Sequence, residues 1–162
     1  MKLDYKQLTE DDLLWVHEYL SDYDVVRFLP NKMHNQTYKQ VVEWFYRDNS
    51  ATRIVDLKFA IFLDRFPVGT TSLGVSPDLV GGGGMWLIKD LWGFGIGTKT
   101  LKWKLQFLFD SYSCVGAYAT SYVIGNKASQ KMQEKCGFVL NEGKKRDGLV
   151  DMIITREMWE KG

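Results

Sequence analysis

A chain of 162 residues, 45% hydrophobic and 25% charged, has ordinary globular composition and the size to bury its own core without a disulfide or a metal. Lys plus Arg number 21 against 20 for Asp plus Glu, a net charge of +1, which gives no support for a nucleic-acid or polybasic membrane surface. Two cysteines without a C-x-x-C spacing and two histidines, His17 and His34, are too few for a structural zinc site or a disulfide framework, so no metal is expected.

The N-terminus lacks an apolar leader, and no uncharged run approaches the roughly 18 residues of a membrane span. The expectation is one cytoplasmic domain over 1–162, with neither nucleic acid nor membrane as partner.

After an N-terminal strand, Thr9-Glu-Asp-Asp12 reads as a capping box opening a helix with Leu13, Leu14, His17 and Leu20 on one side. Asp22 to Leu29 predicts a second short helix stopped by Pro30, and Thr37 caps a third carrying Val41, Val42 and Phe45. The period then changes. Leu57, Phe59, Ile61 and Leu63 alternate up to Asp64-Arg65, and a second β-like run follows from Val68 to Val75, a hairpin signal.

Met85 to Ile88 predicts a short strand entered from Gly81 to Gly84, a run too permissive to start a strand well. Gly95 to about Asp110 is helical, with Leu101, Leu105 and Leu108 in register. Val115 to Val123 reads as a strand, Asn126 to Cys136 as a helix, and Phe138 to Trp159 as two strand-like runs around Arg146-Asp147-Gly148. This order predicts an α/β mixed sheet with helices on both faces.

Seven of the 15 glycines fall between Gly81 and Gly97. Gly93, Gly95 and Gly97 let backbone N–H groups converge at a helix start, which suits an anion such as a pyrophosphate. A P-loop is excluded because Thr98 separates Gly97 from Lys99. A dinucleotide fingerprint is excluded because Thr98 takes the place of its third glycine. The acid that should end the next strand is also missing from Val115 to Thr120.

The stretch Trp92-Gly-Phe-Gly95-Ile-Gly97-Thr98 resembles the cofactor loop of the GNAT (Gcn5-related N-acetyltransferase) superfamily, in the Trp-initiated form of its RimJ/RimL-like branch. Asn126-Lys-Ala-Ser129, Lys135-Cys-Gly137-Phe138 and Glu142-Gly143 resemble that branch's later helix and its exit, Val68-Gly69 its hairpin, and Asp151 the Asp of its last strands.

The resemblance implies a mostly antiparallel central sheet splayed between the fourth and fifth strands, with acetyl-CoA as co-substrate. It assigns Leu87 and Ile88 to the backbone that meets the pantetheine arm, one of their N–H groups, here Ile88, polarising the thioester carbonyl. Backbone N–H groups over Gly93, Phe94, Gly95, Ile96, Gly97 and Thr98 would hold the pyrophosphate. Asn126 would hydrogen-bond the pantetheine, and Ser129 would lie near the sulfur and protonate the leaving thiolate.

The activity implied is direct transfer of acetyl to a primary amine, on a protein N-terminus or a small molecule, through a ternary complex. The alternative is a CoA-binding sensor or interaction module. Members of the family often pair, so the resemblance allows a homodimer. Two departures stand out. Gly82 occupies the place of the usual strand-four Glu base, and Gln133 that of a Tyr found in some branches. Glu142, Asp151 and His34 are the substitute bases, while Cys136, just before Gly137-Phe138, reads as core.

Overall fold

The structure is a computed structural model that describes residues 1–142 and 146–162. Strand β1 (Leu3–Gln7) leads into a capped turn in which the Thr9 N–H donates to Asp12 Oδ2 at 2.8 Å. Helices α1 (Leu13–Leu20), α2 (Tyr23–Val26) and α3 (Tyr38–Tyr46) follow. Helix α3 has a two-way capping box: the Gln40 N–H donates to Thr37 Oγ1 at 3.1 Å and the Thr37 N–H to Gln40 Oε1 at 2.8 Å. The second helix is shorter than its sequence predicts, because the chain turns over 27–29 before Pro30 ends it.

Strands β2 (Val55–Leu63) and β3 (Phe66–Val75) form the predicted hairpin. Asp64 and Arg65 both take positive φ, 48° and 76°, as the right-handed strand twist demands of a two-residue turn. Next come β4 (Val80–Gly82), β5 (Met85–Leu87), α4 (Ile96–Ser111), β6 (Ala117–Val123), α5 (Lys127–Lys135), β7 (Val139–Leu140) and β8 (Leu149–Thr155). A last helix, α6 (Arg156–Lys161), replaces the tail of the expected final strand. The Thr155 hydroxyl accepts the Met158 N–H at 3.1 Å and starts that helix, a capping role that strand periodicity does not reveal.

The sheet runs β1-β2-β3-β4-β6-β8-β7, with β5 paired to β3 beyond the end of β4. Every pairing is antiparallel except β4 with β6. Alternation along β2 divides the core. Phe59 packs with Leu105, Leu108 and Tyr118 under α4, while Ala60 packs with Leu13, Val16, Val41 and Trp86 under α1 and α3. The expected α/β sheet with a helix layer on each face is therefore present.

Gly81 to Gly84 departs from its sequence reading as a poor strand start. Val80–Gly82 is a strand paired on both sides, to β3 and to β6. Close packing explains a glycine there: a Cβ on Gly81 would sit 2.5 Å from Leu108 Cδ2.

Candidate active site

The sheet opens where β4 gives way to β5. Val80 and Gly81 pair with Ala117 and Tyr118 of β6, but beyond them β5 pairs only with β3, and β6 from Ala119 to Val123 pairs only with β8. The break falls at Gly83, with φ +143°, where a Cβ would lie 2.1 Å from the Ser72 carbonyl oxygen. Only glycine fits that combination of backbone angle and close approach. The result is a gap between two diverging strands.

Hydrogen-bond alternation decides which groups face it. The Ile88 N–H donates to the Val68 carbonyl at 2.9 Å, and the Gly84 carbonyl accepts the Ser72 N–H at 3.0 Å. Residues 84, 86 and 88 therefore bond toward β3, so the N–H groups of Met85 and Leu87 point into the gap. This corrects the assignment of Ile88. Its N–H already has a partner, and Leu87, joined by Met85, presents a donor instead. The Leu87 carbonyl accepts the Trp92 indole N–H at 3.0 Å, which ties the glycine loop to the end of β5.

Gly93 and Gly95 take φ of 86° and 79°, a left-handed backbone that side-chain-bearing residues resist. Gly95 caps α4, and its carbonyl takes the first helical bond, from the Lys99 N–H at 3.0 Å. The N–H groups of Ile96, Gly97 and Thr98 thus have no acceptor within the helix, and 16 residues of aligned peptides stand behind them. Gly97 lies against α5, where a Cβ would come within 3.0 Å of Met132 Sδ. The Ile96 side chain is buried and anchors the loop against Ile61, Val68 and Leu87, while Phe94 is exposed.

Across the gap, Asn126 caps α5: its Oδ1 accepts the Ser129 N–H at 3.2 Å. Gln133 Nε2 donates both to the Ser121 carbonyl of β6, at 3.1 Å, and to Ser129 Oγ, at 3.2 Å. The backbone carbonyl can only accept, so the amide orientation is set, and Ser129 must accept from it and keep its own O–H free to donate. Gln133 Oε1 is buried with no partner. The Gln133 amide thus orients the neighbouring hydroxyl.

The structure does not gather the remaining candidates at this place. Asp151 is nearly buried on β8 and ion-paired with Arg146. The exposed Glu142 and Asp151 line a concavity of about 610 Å³ with Asn141 and Arg146, beyond β6 from the β5 side of the gap. Gly143 lies outside the described residues. His34 Nε2 bonds the Leu29 carbonyl at 3.0 Å and His17 Nε2 the Gln36 carbonyl at 3.1 Å, so both imidazoles tie backbone segments together. Cys136 is buried, and burial pushes its thiol pKa up, away from nucleophilic use.

At Gly82 a Cβ would meet the Ala119 carbonyl oxygen at 3.1 Å. Among the described residues no group of three or more His, Cys, Asp or Glu could hold a metal, and no helix is long and apolar enough to cross a membrane.

Two residues escaped sequence reasoning. Lys104 is 1% exposed on the inner face of α4, and Tyr118 is fully buried opposite it on β6. The signal existed, since 101, 104, 105 and 108 form one helical stripe and a lysine interrupts its leucines.

A splayed, mostly antiparallel sheet with a glycine-capped helix beside the splay is the architecture of an acyl-CoA acyltransferase. The family model described as acetyltransferase (GNAT) domain matches residues 2–139. The chain belongs to the GNAT acetyltransferase family, whose members draw their acetyl group from acetyl-CoA. No curated protein sequence matches it significantly.

Among solved structures, the chain is similar to aminoglycoside acetyltransferase AAC(6')-Ib in complex with coenzyme A, at 23% identity and a TM-score of 0.84 over 99% of this chain and 98% of that one. The same enzyme with paromomycin and acetyl-CoA gives 23% and 0.85 over 99% and 97%. A spermidine N-acetyltransferase from Vibrio cholerae, in complex with CoA and spermine, gives 14% and 0.79 over 98% of each chain. These likenesses establish a shared fold.

Proposed function

We propose that this protein is an N-acetyltransferase that moves the acetyl group of acetyl-CoA directly to a primary amine. The observation that carries the reading is the gap between β5 and β6, which presents unpaired backbone N–H groups at one end of a glycine-capped helix. An extended arm bearing amides fits between diverging strands as an added strand would. Its diphosphate would reach the N–H groups over Gly93 to Thr98, where the helix dipole favours negative charge.

Within that frame the chain's own groups divide the work. The Leu87 N–H, with Met85 beside it, donates to the thioester carbonyl oxygen and stabilises the oxyanion that forms as the amine attacks. Asn126 bonds the arm through its amide N–H₂, since its oxygen is committed to the helix cap. Ser129, held as an acceptor by Gln133, donates its proton toward the departing sulfur. The proton lost by the amine leaves through solvent, since Gly82 offers no carboxylate. The RimJ/RimL-like branch is our placement within the family, supported by Trp92 at the loop start and by the Asn126, Ser129 and Gly137-Phe138 positions.

The acceptor is a primary amine on a protein N-terminus or a small molecule. The aminoglycoside and spermidine enzymes of the same fold put small cationic amines first in any panel. Calorimetry with acetyl-CoA, followed by thiol release across such a panel, tests the reading. Binding with amine-dependent release is the expected result. Binding without release from any amine would instead assign the protein as a CoA sensor, a role the lost carboxylate permits, and no binding would end both readings.

A further inference from the structure

Lys104 carries no countercharge. Its Nζ donates to the Gly83 carbonyl at 3.1 Å and the Gly84 carbonyl at 3.4 Å, and it lies 5.5 Å from the centroid of the Tyr118 ring. The Tyr118 hydroxyl donates to the same Gly83 carbonyl at 3.0 Å. Among the described residues no carboxylate pairs with the ammonium, and burial alone pulls its pKa down to about 7. The neighbouring buried positions on α4 are Thr100, Leu101, Leu105 and Leu108, and the titratable side chain facing it from β6 is Tyr118, whose own pKa burial raises.

An unpaired charge in a leucine stripe destabilises a fold, and an apolar side chain of equal length would serve packing better. The charge sits where the chain parts from β6 as β4 gives way to β5. At that point the Gly83 carbonyl turns under α4 and finds two donors.

We propose that Lys104 and Tyr118 form a clamp that holds the Gly83–Gly84 break open, making Lys104 a positioning residue for acetyl transfer. By fixing the Gly83 carbonyl, the clamp keeps β5 aligned on β3 alone and aims the Met85 and Leu87 N–H groups into the gap. Lys104 itself stays beneath the strand and touches no reactant. The proposal rests on the acetyltransferase reading for its catalytic consequence, though the clamp itself is a property of the free protein.

Three variants test it: Lys104→Met, which keeps length and removes the donor, Lys104→Arg, and Tyr118→Phe. Acetyl-CoA binding and thiol release are measured first on the unaltered protein. Amide exchange at Trp86, which bonds to β3, is then followed without ligand in every variant. We expect Lys104→Met to melt no lower than the parent while kcat falls at least ten-fold, KM for the amine stays within about three-fold, and the Trp86 amide exchanges at least ten-fold faster. Tyr118→Phe moves both readouts in the same direction by less, and Lys104→Arg restores part of each.

A folded Lys104→Met protein with kcat within two-fold of the parent and unchanged exchange overturns the clamp. If Lys104→Met does not fold, Tyr118→Phe with kcat and Trp86 exchange unchanged from the parent overturns it equally. Failure of the parent to bind acetyl-CoA would instead sink the acetyltransferase reading, leaving the exchange data to decide the clamp.

Discussion

Gln133 Nε2 lies 3.2 Å from Ser129 Oγ and 3.1 Å from the Ser121 carbonyl, so one amide group spans α5 and β6 and sets the direction of the serine hydroxyl. If Ser129 protonates the leaving thiolate, Ser129→Ala lowers kcat by roughly ten- to a hundred-fold, in the lower range of general-acid contributions, with acetyl-CoA affinity nearly unchanged. Gln133→Leu has a different signature. It leaves the half-buried Ser121 carbonyl without this donor and costs about 1 kcal/mol of stability in addition to activity. Steady-state kinetics paired with urea unfolding separate the two, and equal kcat in Ser129→Ala and parent would remove the serine from the mechanism.

Gly95→Glu tests the anion site. Gly95 has φ 79°, and open space surrounds a would-be Cβ, so the obstacles are backbone angle and charge rather than collision. A carboxylate beside the unpaired N–H groups of the α4 start competes with a diphosphate, and affinity for CoA should fall on the order of 100-fold by calorimetry. Unaltered affinity would place the diphosphate elsewhere.

Trp92→Phe removes the indole N–H that the Leu87 carbonyl accepts at 3.0 Å. The bond is half exposed to solvent on the Trp side, so the expected loss is about 1 kcal/mol in urea unfolding. Because that bond ties the glycine loop to β5, acetyl-CoA affinity should fall too, by about five-fold. Loss of stability without any change in affinity would show the loop to be held independently.

Lys104 makes stability depend on pH. Its folded pKa, about 7, lies below the ordinary 10.5. Between these values the unfolded lysine holds a proton that the folded one has released, so the unfolding free energy rises with pH. Below about pH 7 both states are protonated and the whole burial cost remains. The stability of Lys104→Met relative to the parent should therefore be greatest near pH 6.5 and shrink toward pH 9.5 on the scale of about 1.4 kcal/mol per pH unit at most. Parallel curves from urea unfolding would show that Lys104 does not titrate there.

Much of this was legible in the residues. Alternation announced the β2–β3 hairpin, and Asp64-Arg65 marked its turn. The spacing of Gly93, Gly95 and Gly97 announced a glycine-capped helix start. What the chain order could not convey was pairing across the sheet. Whether Ile88 or Leu87 faces the gap depends on β3 registering Val68 opposite Ile88, a long-range fact that local pattern does not contain. Gly83 likewise gains its meaning from Ser72 lying 2.1 Å from its would-be Cβ. Asp151 looked available because its partner, Arg146, sits across a turn. Lys104 was missed although it interrupts a leucine stripe, because its acceptors lie about twenty residues away on the far side of the glycine loop.

On the proposed function, the gap between β5 and β6 receives the arm of acetyl-CoA. A crystal structure with CoA tests it most directly. The arm should lie between Leu87 and β6, hydrogen-bonded to the Leu87 N–H and to Asn126, its sulfur beside Ser129 Oγ and its diphosphate on the N–H groups over Gly93 to Thr98. CoA bound away from the gap, or a gap closed by direct pairing of β5 with β6, would contradict it.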